Sequence, residues 1–120
     1  MQDISLGVIE SKFADIIWGN APLPSSALVV KAQEALGWKK STTYTVLKRL
    51  CEKGIFENNG GTVTVKLSRD EFYALQSQRF VEETFQGSLP AFLAAFTSGK
   101  RLTDQEVAQL RQLVREHEEK

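Results

Sequence analysis

The 120-residue sequence predicts a mainly α-helical protein with one small β-hairpin. Apolar residues recur at intervals of three and four along most of the chain, which is the period of an amphipathic helix. Serine, threonine and glycine residues stand where such helices begin and end. One Asn-Asn-Gly-Gly run, residues 58–61, separates two short β-branched segments, which is typical of a tight hairpin turn.

Three helices are predicted in the first half of the chain. They run from Leu6 to Asn20, from Ser25 or Ser26 to Leu36, and from Ser41 to Lys53, with Ser41 as the cap of the third. Gly37 and the three residues 38–40 form a tight turn between the second helix and the third. Two helices joined by a short glycine-containing turn are typical of a helix-turn-helix.

The predicted hairpin follows, with strands at residues 55–57 and 62–67, and it completes the element order of a winged helix. Three more helices come after it: one capped by Ser68 and ending near Phe85, one over residues 89–96, and one opened by the capping box Thr103 to Glu106. We therefore predict a winged helix-turn-helix domain over residues 1–68 and a helical dimerisation arm over residues 69–120.

Charge is balanced over the whole chain but not along it. The 15 Lys and Arg residues match the 15 acidic residues, so the formal net charge is zero. Residues 31–54 nevertheless hold six Lys or Arg residues against two Glu residues, a local net of +4. A phosphate backbone is attracted by such local charge, because salt screens the electrostatic interaction with charges more than roughly 10 Å away.

Several classes of protein are not expected. The chain has no glycine-rich phosphate loop, no nucleophile elbow and no supported Ser/His or Cys/His pair, so an enzyme is not predicted. One cysteine and one histidine leave no basis for a disulfide framework, a metal site or a cofactor. No signal peptide or membrane-spanning stretch is evident, and we expect a cytoplasmic protein without membrane insertion.

The exposed face of the third helix is the best candidate for a functional surface. Short hydroxyl side chains near its start suit base edges, and the cations one turn later suit phosphate or guanine. Double-stranded DNA is therefore the predicted partner. The predicted DNA-binding residues are Lys39, Lys40, Ser41, Thr42, Tyr44, Thr45, Lys48 and Arg49.

Two alternatives to DNA binding stay open at this point. The polar face of the third helix could simply be solvated. The domain could also be a winged-helix protein–protein interaction module without sequence-specific DNA binding, which the zero net charge and the uncharged hairpin tip favour. The salt dependence of binding distinguishes a DNA-binding domain from such a module, because phosphate contacts weaken steeply with salt and an apolar interface does not.

The C-terminal helices carry more large apolar side chains than such short helices can bury among themselves. A second subunit would cover them, which predicts a homodimer and, by its two-fold symmetry, a palindromic operator. The predicted interface residues are Phe72, Phe80, Phe85, Leu89, Phe92, Phe96, Leu110 and Leu113.

Several of these segments resemble the penicillinase and methicillin-resistance repressor family (BlaI/MecI/CopY). The resemblance covers about residues 5–115, and its most specific parts are the third-helix stretch and the Phe-x-Gly-Ser element at residues 85–88. It implies a dimeric winged-helix transcriptional repressor. The matching segments are residues 6–10, 16–18, 22–23, 38–50, 52–54, 68–72, 85–89, 96 and 102–106.

The resemblance also implies, in some members, a membrane sensor protease as a partner. That protease inactivates the repressor by cutting an Asn-Phe bond, and the corresponding bond here is Ala95-Phe96. Copper-responsive relatives carry paired C-terminal cysteines, which this chain lacks. It also departs from the family pattern at Ala27, where an acidic residue is usual, and in a wing without the common basic residue.

Overall fold

A computed structural model describes residues 6–120; residues 1–5, the start of the predicted first domain, lie outside the described residues. The mainly α-helical architecture with a small antiparallel sheet is confirmed. The elements in chain order are α1 (Val8–Asn20), β1 (Leu23–Pro24), α2 (Ser25–Leu36), α3 (Lys40–Glu52), β2 (Phe56–Asn59), β3 (Thr62–Val65), α4 (Arg69–Phe85), α5 (Leu89–Gly99) and α6 (Asp104–Glu118).

The sheet has three strands in the order β1-β3-β2, and both pairings are antiparallel. The hairpin β2–β3 is the predicted wing, with Asn59 opposite Thr62 beside its turn. Strand β1 is new, since its Leu23 pairs with Val63 of β3. The backbone N–H of Ser25 extends this contact by donating to the Gly61 carbonyl at 2.7 Å. The start of α2 is therefore hydrogen-bonded to the tip of the wing.

Helix α3 begins one residue earlier than predicted. Its N-cap is Lys39, and no side chain caps the first turn, so the expected cap at Ser41 is wrong. Ser41 already lies inside the helix, where its carbonyl accepts a 2.9 Å hydrogen bond from the Thr45 hydroxyl. The helix ends at Glu52, and the chain then turns at Gly54 with a φ of 82°.

The chain forms two compact units, one ending at Gln78 and one spanning Arg79–Lys120. The first unit has a continuous apolar core built from α1, α2, α3 and the sheet. Trp18 closes one side of this core: its indole N–H donates to the Leu67 carbonyl at 3.0 Å, and its ring contacts Phe56. The fully buried side chains include Phe13, Ile17, Leu28, Leu50, Ile55, Phe56, Val63 and Phe72.

Phe72 requires a correction. We predicted it at the dimer interface, but its side chain is 0% exposed and its ring centroid lies 5.6 Å from that of Trp18. Helix α4 directs this residue into the core of the first unit, so no part of the ring is left for a second subunit. The Ser68 cap places α4, since the Ser68 hydroxyl accepts from the Glu71 N–H and the Glu71 carboxylate accepts from the Ser68 N–H.

The second unit consists of the end of α4, α5 and α6. Its centre is a ring cluster in which Phe80, Phe85 and Phe92 meet edge to face at 5.5–6.0 Å between centroids. The predicted capping box is confirmed, because Thr103 and Glu106 exchange hydrogen bonds of 2.9 and 3.1 Å. Neither α5 nor α6 contains a buried residue. None of the described helices has the length and apolar character needed to cross a bilayer.

Candidate nucleic-acid interface

Helix α3 has one buried face and one exposed face, as its spacing predicts. Thr43, Val46, Leu47 and Leu50 point into the core, and they fix the orientation of the helix. The opposite side carries almost all of the predicted DNA-binding residues. Those that are exposed are Lys39, Lys40, Ser41, Thr42, Thr45, Lys48 and Arg49.

The start of α3 is suited to an anion. No side chain caps its first turn, so the backbone N–H groups there have no side-chain acceptor. Lys39 and Lys40 are both exposed at this end. Free N–H groups at the positive end of a helix dipole, flanked by two ammonium groups, can hold a phosphate.

The hydroxyl side chains of α3 differ in whether they can still form a hydrogen bond with DNA. The Thr45 hydroxyl donates to the Ser41 carbonyl, so its oxygen is left as an acceptor for a base amino group. The Thr43 hydroxyl donates to the Lys39 carbonyl at 3.1 Å and is buried, so it takes no part in the surface. The two residues are of the same type, and only their positions around the helix make Thr43 buried and Thr45 exposed.

Lys48 and Arg49 diverge to opposite flanks of α3. Lys48 lines a groove between α3 and the hairpin, together with Lys66. Arg49 instead faces α1, where its Nη1 atom lies 3.5 Å from a carboxylate oxygen of Glu10. Although the two cations are adjacent in the sequence, one therefore lies beside the hairpin and the other beside α1. Sequence reasoning missed Glu10, because 39 residues separate it from Arg49 and no local pattern joins them.

Tyr44 has a partner inside the protein. Its ring packs against the core, and its hydroxyl oxygen lies 3.1 Å from the Oγ atom of the buried Ser25. A DNA contact through this hydroxyl would have to share it with Ser25. The bond connects α3 to the first residue of α2, which in turn bonds to Gly61 in the wing.

The groove between α3 and the hairpin has a volume of about 520 Å³ and is open to solvent. Cys51 lies along it and is half-buried. Burial raises the pKa of this thiol, so it is protonated at neutral pH. The wing itself is neutral at its tip, where the Asn58 side chain accepts from the Gly61 N–H at 3.0 Å.

Among residues 6–120, no three His, Cys, Asp or Glu side chains are grouped closely enough to hold a metal ion. The prominent feature of the first unit is therefore the exposed cationic face of α3 beside an antiparallel hairpin. Three helices closed by such a hairpin define a winged helix-turn-helix protein.

Comparison with known proteins places the chain within this class. The family model described as penicillinase repressor matches residues 6–116, and the chain belongs to this family. It is also 22% identical over 112 residues to the penicillinase repressor of Bacillus licheniformis, an alignment that covers 90% of this chain and 88% of that protein. The resemblance noted in the sequence is thus confirmed.

Proposed function

We propose that this protein is a transcriptional repressor that binds palindromic operator DNA as a homodimer, with α3 in the major groove. The observation that carries the proposal is the exposed face of α3, which presents hydroxyl and cationic side chains on a helix anchored by four buried residues. The family supports the repressor function.

The residues of α3 have separate roles in this proposal. Thr42 and Thr45 meet base edges, where a hydroxyl pairs with a polar group and a methyl contacts a thymine methyl. Lys39 and Lys40 neutralise a phosphate at the helix start, and Lys48 neutralises another beside the wing. Phosphate contacts set the register of the protein, whereas base contacts set the sequence that it prefers.

The second unit supports a homodimer because its apolar side chains are left uncovered. Leu113 is 62% exposed, Leu89 56%, Phe80 50% and Phe96 43%. Phe85, Phe92 and Leu110 are half-buried, and the last two line an apolar groove of about 500 Å³ between α5 and α6. A stable interface buries roughly 1,200–2,000 Å² in total, which this surface could supply from two copies. Half-sites would then lie about one DNA turn, or a multiple of it, apart.

The DNA-binding part of the proposal is tested by fluorescence anisotropy, with labelled duplexes tiling the region upstream of the gene and a salt titration of each complex. Lys48→Ala and Arg49→Ala should each weaken binding, and losing a phosphate contact should reduce the slope of log K against log salt by about 1. Lys120→Ala removes a cation from the end of the chain and should leave both the affinity and the slope unchanged.

The same titration examines the second candidate, a protein-interaction module. The absence of Lys and Arg from residues 56–65 and the zero net charge favour that candidate. If the parent binds no upstream fragment, or if both α3 variants bind as tightly as the parent, α3 is not the DNA-reading surface and the repressor proposal fails.

Inactivation by a membrane sensor protease, as the resemblance implies for some members, would require a change in α5. The Ala95–Phe96 bond lies inside this helix, which spans Leu89–Gly99. Cutting a helical segment requires local unfolding first. The intact mass of the protein before and after induction in cells would show whether that bond is cut.

A further inference from the structure

The ion pair between α1 and α3 involves a cation of the proposed DNA-binding surface. Arg49 lies seven residues, about two helical turns, after Thr42, so both side chains leave the same side of α3. The Arg49 guanidinium is turned towards α1, and its Nη1 atom is 3.5 Å from the Glu10 carboxylate. The side chains of Arg49 and Glu10 are 53% and 23% exposed, so the arginine is the more accessible member.

The geometry of this pair is loose. A distance of 3.5 Å is well beyond the usual 2.7–2.9 Å of a charge-assisted hydrogen bond. Pairs with this much exposure contribute little to stability. A DNA phosphate can therefore displace Glu10 from Arg49 at small cost, because its two non-bridging oxygens accept from a guanidinium as the two carboxylate oxygens do.

We infer that Glu10 is a positioning residue that holds Arg49 against α1 in the free protein and competes with the DNA backbone for its guanidinium. This inference rests on the proposed function. When DNA binds, Arg49 exchanges its carboxylate partner for a phosphate, and breaking the Glu10 ion pair reduces the free energy gained on binding. Glu10 thereby lowers the affinity that the cationic face would otherwise have.

Helix α1 also provides a matched control. Asp15 lies on the same helix and pairs at 3.0 Å with Arg69, which belongs to α4 and not to the DNA-binding helix. Asp15→Asn removes one negative charge from α1 and breaks one interhelical ion pair, just as Glu10→Gln does. Only Glu10→Gln releases a cation of α3.

The test uses the full chain and the upstream duplex that the parent binds most tightly, with anisotropy measured at about 0.1 M salt and over a salt series. Glu10→Gln should tighten binding about 1.5- to fivefold, the range that an exposed ion pair represents. It should change the salt slope by much less than 1, because Arg49 neutralises the same phosphate in both complexes. Asp15→Asn should change neither quantity.

A double-mutant cycle shows whether Glu10 acts through Arg49. In the Arg49→Ala background, Glu10→Gln should have no effect on affinity. The inference is overturned if Glu10→Gln leaves binding unchanged or weakens it, if Asp15→Asn matches it, or if its effect persists without Arg49. Thermal unfolding of each variant confirms that the fold is intact. Failure of the parent itself to bind any duplex would refute the proposed function, which separates that result from the others.

Discussion

Replacing Phe72 by alanine should strongly destabilise the first unit, although the residue lies in the C-terminal half of the sequence. Its ring is 0% exposed and meets the rings of Trp18 and Tyr73 at 5.6 and 5.4 Å between centroids. Truncation of a buried phenylalanine costs about 3–5 kcal/mol. Since a domain has only about 5–15 kcal/mol in total, the melting temperature should fall by more than about 10 °C.

Chemical denaturation followed by tryptophan fluorescence measures this loss, and Trp18 reports directly because it touches the deleted ring. The difference from the parent should be the same at low and high protein concentration. Phe96→Ala is the matched control, since that ring is 43% exposed in the second unit. Its effect should depend on protein concentration. If Phe72→Ala unfolds at the midpoint of the parent but dissociates the dimer, Phe72 belongs to the subunit interface and our assignment is refuted.

Three further predictions concern α3 and α6. Leu113→Glu places a charge on the exposed apolar face of α6 and should give a monomer by sedimentation equilibrium, with unchanged helix content; a persistent dimer would contradict the interface proposal. Thr103→Ala removes the α6 cap and should cost about 1 kcal/mol in denaturant unfolding. The Thr103 N–H lowers the pKa of Glu106, so the stabilisation from this bond is present at neutral pH and is lost as the pH falls through the lowered pKa; Thr103→Ala keeps this N–H and should keep most of the pH dependence, whereas Glu106→Gln should abolish it. Tyr44→Phe removes the bond to Ser25 and should cost about 0.5–1.5 kcal/mol while leaving most of the DNA affinity; a large loss of affinity at unchanged stability would show a direct DNA contact.

Local chemistry explains why so much of the helical framework could be predicted. The Thr103 capping box and the Ser68 cap both depend on residues three positions apart, and both are present as expected. The two faces of α3 follow from the 3.6-residue period. Even the wing depends mainly on a four-residue turn. Each of these features is determined within a few residues of sequence.

Strand β1 shows where local chemistry is insufficient. Leu23 and Pro24 carry no strand pattern, and they are extended and paired only because β3 lies beside them, about 40 residues later. The start of α3 is a second feature that the local sequence does not determine. Ser41 is a good cap by residue type, yet the tight turn after α2 makes Lys39 the cap and leaves Ser41 inside the helix.

The sequence by itself determined the order of the helices and the hairpin, the caps at Ser68 and Thr103, and which residues of α3 are polar and exposed, because these depend on neighbours along the chain. The tertiary structure alone decided that Phe72 packs on Trp18, that Tyr44 bonds to Ser25, and that Arg49 turns to Glu10 while Lys48 does not. These contacts join residues 19 to 54 positions apart. The way in which the helices pack against each other determines these partners, and no periodicity in the sequence predicts them.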